Sequence, residues 1–473
     1  MSSSRSCISP HRFDPTILRE YDVRGIVGET LGVDDARALG RAFGTIAGES
    51  GKTTICVGYD GRTSSLELES AIVEGLSEAG MAVKRIGRGP TPMLYFAIHH
   101  LQACGGIMVT GSHNPPNHNG FKMMLGGKPF FGDDIRRLGE VAARGDFAEK
   151  TKGQESPVEK VAVDEPYLHA LAAAYDGVAR GAELRVAWDA GNGAAGEIMT
   201  QLTQRLAGTH VLLNETIDGS FPSHHPDPTV VENLVQLQET VRRESCDLGI
   251  AFDGDGDRLG VVDGEGEILW GDQFMVALAG EVLEDMPGAT IIADVKASQV
   301  LFDEITRMGG TPLMGRTGHS LIKAQMAETG ALLAGEMSGH IFFADRYFGY
   351  DDALYAAVRL LRVVARTGES LTALRRRLPK VVNTPELRFD CADTRKFTVI
   401  EEVKMRLEAA GAEVNDIDGV RVLTPEGWWL LRASNTQAAL VARCEAGDEV
   451  GLEHLKADLV EQLRKSSVQP PRF

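Results

Sequence analysis

The segment Gly106-Ile-Met-Val109-Thr110-Gly-Ser-His-Asn-Pro-Pro116 joins a short apolar run to a polar loop that is rich in glycine and proline. The apolar run predicts a β-strand that ends at Val109. Gly111 permits a tight turn, and the two prolines prevent a helix from starting directly afterwards. Ser112 is therefore expected on a rigid loop at a strand end, where a hydroxyl can act as a nucleophile or carry a phosphoryl group. A capping serine in a turn is the simpler alternative.

The same arrangement of strands occurs three times along the chain. In each copy, a strand that ends in Asp is followed by a helix, a second strand, another helix and a third strand that ends in a polar loop. The first strands cover residues 54–60, 184–189 and 290–294. Alternating strands and helices predict mostly parallel sheets, whose ligands gather at the carboxyl ends of the strands. We therefore expect three related α/β domains that face one central cleft.

The C-terminal part breaks this pattern. Residues 419–432 predict a β-hairpin around a Pro-Glu-Gly turn, with a helix before it and another at the end of the chain. This combination is typical of a smaller α+β domain. The predicted organisation is a flexible tail over residues 1–12, α/β domains over residues 13–155, 156–265 and 266–378, and an α+β domain over residues 379–473.

Composition restricts the class of protein. The chain has 67 acidic and 49 basic residues and a formal net charge of −18, which argues against nucleic acid or an anionic membrane as a partner. Its six cysteines are scattered and form no CxxC pair, which favours reduced, packed thiols over disulfides or a zinc site. The sequence predicts neither a signal peptide nor a membrane-spanning run, so we expect a cytoplasmic protein.

An acidic loop follows the third strand of the second copy. Asp253, Asp255 and Asp257 alternate with glycines, which let the backbone curl so that the three carboxylates converge. Three converging anions require a cation, and hard oxygen ligands suit Mg²⁺ or Ca²⁺. An EF-hand is excluded because Arg258 stands where its glycine belongs. A metal beside a serine loop indicates phosphoryl transfer. The candidate positive charges for it are Arg24, Lys122 and Arg258.

Two further loops carry groups that suit a sugar phosphate. In residues 335–340, the Glu336 carboxylate and the Ser338 hydroxyl are two residues apart and can bind neighbouring sugar hydroxyls. Residues 432–436 combine a guanidinium with small polar side chains, which is typical of a site that holds a phosphate without reacting with it. Either loop alone is also compatible with a purely structural function.

Together, these motifs resemble those of the α-D-phosphohexomutase family, and most closely its bacterial phosphomannomutase/phosphoglucomutase branch. The likeness runs from about residue 13 into the C-terminal domain. It implies four domains around a cleft, and an enzyme that moves a phosphoryl group reversibly between positions 1 and 6 of mannose and glucose phosphates. The motifs that carry it are residues 21–24, 110–116, 119–122, 252–258, 317–319, 335–340 and 432–436.

The resemblance also implies functions for individual residues. Ser112 would be the phosphoserine, and Mg²⁺ would be bound by its phosphate together with Asp253, Asp255 and Asp257. Glucose 1,6-bisphosphate or mannose 1,6-bisphosphate would be the intermediate and activator. The other implied catalytic residues are Arg24, Lys122, His113 and His340. The implied substrate-binding residues are Tyr21, Arg258, Lys296, Thr317, Gly318, His319, Glu336, Ser338, Arg432, Ser434, Asn435 and Thr436.

Two other functions fit parts of this pattern. A phosphoglucosamine mutase shares the fold and the phosphoserine chemistry, but that class tends to carry Gln where this chain has Met337. A catalytically silent sugar-phosphate sensor would have no need to retain Ser112, Lys122 and all three aspartates. We therefore favour an active mutase whose partners are hexose phosphates, working as a monomer or weak dimer.

Overall fold

The computed structural model describes residues 9–148, 156–178, 183–435 and 437–473. Within these residues the chain forms four β-sheets with helices packed against them. The predicted fold class is confirmed, because three α/β units with mixed sheets are followed by an α+β unit whose sheet is antiparallel.

The first unit carries the serine loop. Its strands are β1 (Val23–Ile26), β2 (Thr54–Tyr59), β3 (Ala82–Arg88), β4 (Gly105–Val109), β5 (His118–Leu125), β6 (Lys128–Pro129) and β7 (Val158–Lys160). Its helices are α1 (Val33–Gly48), α2 (Ser65–Glu78), α3 (Thr91–His100) and α4 (Asp133–Arg144). Because β7 pairs with β3, this sheet includes residues beyond the predicted boundary at residue 155, which itself lies outside the described residues.

The second and third units follow. The second contains α5 (Asp164–Ala173), β8 (Leu184–Asp189), α6 (Gly196–Thr203), β9 (Gly208–Leu213), α7 (Val235–Glu244), β10 (Leu248–Phe252), β11 (Leu259–Asp263) and β12 (Ile268–Leu269). The third contains α8 (Gly271–Asp285), β13 (Thr290–Asp294), α9 (Gln299–Arg307), β14 (Thr311–Gly315), α10 (His319–Thr329), β15 (Leu333–Gly335), β16 (Ile341–Phe343), α11 (Ala353–Thr367) and α12 (Leu371–Arg377).

These three sheets share one strand order. The first strand of each predicted copy (β2, β8 or β13) lies between the second and third strands and runs parallel to both. A return strand, which the sequence pattern did not identify, then pairs antiparallel with the third strand: β5, β11 or β16. Because parallel strands end at the same edge of a sheet, each third strand delivers its polar loop to that edge.

One apolar core joins the three α/β units. It includes Tyr95 from α3, Trp188 from β8 and Leu354 from α11, all of which are buried. Since protein interiors are close-packed, a core that crosses unit boundaries fixes the relative positions of the loops that the units carry.

The C-terminal unit has its own core, which includes Trp429, Leu440 and Leu459. The predicted hairpin is confirmed, with a turn at residues 425–426. The strands are β17 (Val382–Asn383), β18 (Leu387–Asp390), β19 (Glu413–Asn415), β20 (Val420–Thr424), β21 (Gly427–Ala433) and β22 (Ala439–Ala446). The helices are α13 (Asp393–Ala409) and α14 (Glu449–Lys465).

The cysteines agree with the prediction of packed thiols. Cys56, Cys104, Cys246, Cys391 and Cys444 are free and buried, and Cys7 lies outside the described residues. Among the helices that the structure describes, none combines the length and the apolar composition needed to cross a membrane.

Candidate active site

Ser112 lies on the loop between β4 and β5 and adopts a left-handed backbone conformation, with φ of +48°. This conformation is uncommon for a residue with a side chain. The sequence analysis assigned the tight turn to Gly111, but the left-handed residue is Ser112. Gly111 is required for a different reason, because a Cβ there would lie 2.4 Å from Nε of Arg62.

Arg62, which the sequence analysis missed, donates hydrogen bonds to backbone carbonyl oxygens of the loop that carries Ser112, which we call the serine loop. Its guanidinium also lies 3.3 Å from Asp60, which follows β2 and accepts a hydrogen bond from the Gly111 amide at 3.1 Å. Such charge-assisted hydrogen bonds are strong, so they keep the loop in one conformation. The carbonyl oxygens that accept from Arg62 belong to Ser112, Asn114, Pro115 (each at 2.6 Å) and His118 (at 3.0 Å).

The three aspartates converge as predicted. One oxygen of each lies within 4.8 Å of the others, and all three residues are buried. The hydroxyl of Ser112 donates a 2.8 Å hydrogen bond to Asp253. Gly254 allows this approach, because a Cβ there would lie 2.3 Å from the carbonyl oxygen of Ser112. Burial and the charges of Asp255 and Asp257 raise the pKa of Asp253 well above its usual value.

The acidic cluster has the properties of a site for a hard divalent cation. Within the described residues, Oδ1 of Asp255 accepts no hydrogen bond, and Oδ1 of Asp257 has only Nε2 of His340 near it, at 3.4 Å. Buried polar atoms are normally paired, and carboxylate oxygens are the ligands that Mg²⁺ prefers. Lys122, placed by β5, donates to Oδ2 of Asp255 at 2.7 Å and to Oδ2 of Asp257. Its single positive charge offsets only part of the negative charge of the cluster.

The loop after β15 faces the acidic cluster. His340 lies between two carboxylates, with Nδ1 at 2.9 Å from Glu336 and Nε2 at 3.4 Å from Asp257. Burial alone would lower the pKa of His340, but Asp257 and Glu336 raise it to about 9. The other oxygen of Glu336 accepts a 2.7 Å hydrogen bond from the Gly318 amide. The imidazole and the carboxylate are therefore held together on the wall of the cleft.

Two other histidines are kept neutral. Burial, followed by the positive charges of Arg258 and Arg24, holds the pKa of His113 well below its usual range. Its Nδ1 lies 3.2 Å from the Ser112 hydroxyl. Burial and the charge of Lys323 likewise lower the pKa of His319. A neutral imidazole offers one donor and one acceptor, so both can form hydrogen bonds with a substrate.

The tail loop, which is the predicted phosphate-binding segment at residues 432–436, begins in the last two residues of β21 and closes onto the other units. Arg432 donates a 3.0 Å hydrogen bond to Asp418. Asn435 donates to the hydroxyl of Tyr21, which in turn donates to the carbonyl of Thr317 at 3.0 Å. This chain of contacts links the first, third and C-terminal units. Thr436, predicted to bind phosphate, lies outside the described residues.

A cleft of about 870 Å³ brings together residues from all four units. The predicted residues that line it are Tyr21, Arg24, Ser112, His113, Lys122, Arg258, Lys296, Thr317, Gly318, His319, Glu336, Ser338 and His340. The three aspartates lie buried behind the serine loop. Arg432, Ser434 and Asn435 lie on the tail loop, outside the lining.

Comparison with known proteins gives the same assignment along the whole chain. Models of the phosphoglucomutase/phosphomannomutase α/β/α domains I, II and III match residues 15–149, 165–266 and 270–382, and the model of the C-terminal domain matches residues 386–462. The chain belongs to the phosphoglucomutase/phosphomannomutase family. The resemblance to α-D-phosphohexomutases that the sequence motifs indicated is thereby confirmed.

Individual relatives of this family are similar over nearly their full length. A Pseudomonas aeruginosa phosphomannomutase/phosphoglucomutase is 42% identical over 95% of this chain and 96% of its own. A Neisseria meningitidis phosphoglucomutase is 42% identical over 93% and 95%. The crystal structure of a phosphoglucomutase/phosphomannomutase family protein from Burkholderia thailandensis superposes with a TM-score of 0.91, at 40% identity, over 98% of this chain and 100% of the other.

One wall of the cleft in this family member was not predicted. The first two strands of the C-terminal unit, β17 and β18, and the turn between them contribute Asn383, Thr384, Pro385, Glu386 and Arg388 to the lining. Glu386 pairs with Nζ of Lys296 at 3.0 Å, so the charge of this predicted substrate-binding residue is already offset by a carboxylate of the chain. These strands are short and carry no strong motif, which explains why the sequence did not indicate their position in the cleft.

Proposed function

We propose that this protein interconverts the 1- and 6-phosphates of mannose and of glucose through a phosphorylated Ser112. The observation that supports this most strongly is the 2.8 Å contact between the Ser112 hydroxyl and Asp253, on a loop that opens into the substrate-sized cleft. The names of the relatives, phosphomannomutase/phosphoglucomutase in one case and phosphoglucomutase in another, support activity on both sugars.

The reaction proceeds as two transfers. In the first, the bond between phosphorus and Oγ of Ser112 breaks, the phosphoryl group bonds to the free hydroxyl oxygen of a hexose monophosphate, the hydroxyl proton passes to a base, and Oγ takes up a proton. In the second, Oγ gives up its proton to a base and bonds to the other phosphoryl group of the resulting 1,6-bisphosphate, while the bond between that group and the sugar oxygen breaks and the sugar oxygen takes up a proton. Glucose 1,6-bisphosphate or mannose 1,6-bisphosphate is therefore both the intermediate and an activator that can phosphorylate the free enzyme.

Asp253, Asp255 and Asp257 would hold Mg²⁺ together with the phosphate on Ser112. When bound, the cation would neutralise negative charge on the phosphate oxygens during transfer. The buried Oδ1 of Asp255, which accepts no hydrogen bond from the described residues, supports this assignment. Lys122 keeps two of these carboxylates in place and adds a positive charge beside the transferred group.

Other charged groups of the cleft would handle protons and stabilise charge. His340, whose pKa is raised to about 9, is held by two carboxylates and is suited to donate a proton or a charged hydrogen bond. Arg24 donates to Oδ1 of Asn114 at 2.9 Å, which places its guanidinium beside the serine loop. His113, being neutral, can donate or accept at the reacting oxygen of Ser112.

The remaining contacts explain how one site could accept both sugars. Glu336 and Ser338 would bind the O3 and O4 hydroxyls, while mannose and glucose differ only at C2. Arg258, Tyr21 and the segment 317–319 complete the sugar and phosphate contacts. The tail-loop residues Arg432, Ser434, Asn435 and Thr436 would hold whichever phosphate is not being transferred.

A coupled assay of purified protein with mannose 1-phosphate, glucose 1-phosphate and glucosamine 1-phosphate tests this proposal. We expect comparable turnover of the first two and little of the third. Predominant activity on the amino sugar would instead establish a phosphoglucosamine mutase. Turnover of none of the three, with sugar-phosphate binding retained, would establish a silent binding protein.

A further inference from the structure

His319 and Lys323 lie one turn apart at the start of α10. Residues at positions i and i+4 share one face of a helix, so their side chains meet. Nζ of Lys323 lies 3.3 Å from Nδ1 of His319. Neither side chain is exposed: that of Lys323 is 4% accessible, and that of His319, which lines the cleft, is 13% accessible. The contact is therefore between a buried cation and a ring nitrogen.

The chemistry of the ammonium group decides the protonation of that nitrogen. A lysine ammonium has three donors and no acceptor. If Nδ1 of His319 carried a proton, two hydrogens would face each other across 3.3 Å, so Nδ1 must present its lone pair. Burial and the charge of Lys323 lower the pKa of the imidazole, which keeps it neutral. The single proton of the ring is then on Nε2.

Lys323 is held in this position by two other groups. It donates a 2.7 Å hydrogen bond to Oδ1 of Asp351, and its Nζ lies 4.4 Å above the ring of Tyr95. Oδ2 of Asp351 lies 3.5 Å from Nδ1 of His319 and accepts no hydrogen bond from the described residues. Asp351 would attract a proton onto Nδ1 if Lys323 were absent. The ammonium therefore decides between two possible tautomers.

The ring orientation is also restricted. The imidazole of His319 stacks on that of His340, with centroids 5.6 Å apart, and meets the edge of Tyr21 at 6.5 Å. A flipped ring would place a C–H group against the ammonium, which loses the hydrogen bond. Because Nδ1 faces the buried Lys323 and Asp351, Nε2 is the nitrogen that faces the cleft.

We propose that Lys323 is a positioning residue that fixes His319 as the Nε2–H tautomer, so that the cleft receives a neutral hydrogen-bond donor directed at a phosphate or hydroxyl oxygen of the substrate. This inference rests on the proposed function for the identity of the acceptor, but not for the tautomer itself. Lys323 acts through His319 and does not touch the substrate.

Nitrogen-15 NMR of histidine-labelled protein tests the tautomer without any assay of activity. The His319 signal is assigned among the 12 histidines by its loss in His319→Gln. We expect the chemical shifts of a protonated Nε2 and an unprotonated Nδ1. A spectrum with the proton on Nδ1, or with both nitrogens protonated, overturns the proposal even if the mutase activity is established.

A matched pair of variants tests whether Lys323 determines the tautomer of His319. Lys323→Met and Asp351→Asn break the same ion pair, but only the first removes the donor to Nδ1. In Lys323→Met we expect the proton to move to Nδ1 and the KM for hexose phosphates to rise about tenfold or more, with a smaller change in kcat, because a hydrogen bond to a charged group is lost. Asp351→Asn should keep the parental tautomer.

A conservative variant distinguishes positioning of His319 by the charge of Lys323 from packing of the Lys323 side chain. Lys323→Arg retains a cationic donor and should restore the Nε2–H signal. The proposal is overturned if Lys323→Met keeps the parental tautomer, or if Asp351→Asn shifts it equally. Should Lys323→Met fail to fold, the spectrum of the parent protein still decides the outcome, since it alone must show the unprotonated Nδ1.

Discussion

The hydroxyl of Ser112 donates a hydrogen bond to Asp253 at 2.8 Å, although 141 residues separate the two along the chain. Ser112 follows β4 of the first sheet and Asp253 follows β10 of the second. The contact exists because Gly254 lets the two loops approach without a side chain between them. Any chemistry at Ser112 therefore takes place beside the acidic triad.

Replacing Ser112 tests the phosphoryl carrier. Ser112→Ala should lose nearly all turnover while it still binds hexose phosphate, because the acceptor oxygen is removed and the cleft is not. Protein purified from cells should contain a fraction about 80 Da heavier than the unmodified chain, and Ser112→Ala should lack it. Intact mass spectrometry and the coupled assay measure both effects. Near-normal turnover by Ser112→Ala would refute the assignment.

Metal removal tests the acidic triad. We expect chelation with EDTA to abolish activity and Mg²⁺ to restore it, because a phosphoserine of charge near −2 cannot be held beside three buried carboxylates without a cation. Asp255→Asn should raise the Mg²⁺ concentration that gives half-maximal activity, and titration of activity with Mg²⁺ measures this shift. Full activity in excess EDTA, with no metal found in the protein, would contradict this prediction.

Arg432 tests the function of the tail loop. Its guanidinium is buried and oriented by Asp418, and the neighbouring Asn435 contacts Tyr21. If Arg432 holds the phosphate that is not transferred, it assists both half-reactions. Because hydrogen bonds to charged groups contribute about 1.5–3 kcal/mol, Arg432→Ala should lower kcat/KM roughly ten- to a hundredfold. Activity should also depend more strongly on added glucose 1,6-bisphosphate, since the intermediate escapes more often.

Arg377→Ala is the matched control for Arg432→Ala. Arg377 is 47% exposed and pairs with Glu369 on the surface. Exposed ion pairs contribute little, so we expect neither a lower kcat/KM nor a new dependence on bisphosphate. If Arg432→Ala behaved like this control, the tail loop would not be the phosphate clamp.

Glu386 provides a prediction for the dependence of stability on pH. Although burial opposes ionisation, Lys296 and Arg388 lower the pKa of Glu386 to about 2. A carboxyl with a lowered folded-state pKa stabilises the fold above its unfolded pKa of about 4.3, and this contribution is lost as the pH falls towards 2. Glu386→Gln should therefore reduce the free energy of unfolding by about 2–3 kcal/mol at neutral pH, and the difference should narrow below about pH 4.

Thermal unfolding of the parent and Glu386→Gln at several pH values measures this effect. Glu461→Gln is the control, since Glu461 forms an exposed pair with Lys465 and should change the unfolding temperature little. A difference between the parent and Glu386→Gln that did not vary with pH would show that the lost interaction is not the ion pair with Lys296.

Local patterns in the sequence were sufficient for much of the fold and the site. The strands at residues 184–189 and 290–294 were predicted with the bounds that the structure has, because each is a short, mostly apolar run that ends in Asp. The convergence of Asp253, Asp255 and Asp257 was predicted for a similar reason. The glycines between them let the backbone curl, so that carboxylates at every second position can be brought together.

Other features could not be read from local pattern. The return strands β5, β11 and β16 lie outside the repeated pattern of three strands, and their position depends on pairing with a neighbouring strand. Domain boundaries and the binding functions of individual residues stay predictions, since neither follows from the position of a side chain alone.

The sequence by itself determined the repeated strands and helices, the loops that end them and the chemical groups that those loops carry, because these depend on backbone preferences and burial over a few neighbouring residues. Only the tertiary structure decided which groups meet: Arg62 with the carbonyls of the serine loop, Lys296 with Glu386, and Lys323 with Asp351. Whether such charge pairs form depends on the distance between elements in the fold and on the exclusion of water. Neither quantity can be predicted from the periodicity of the sequence.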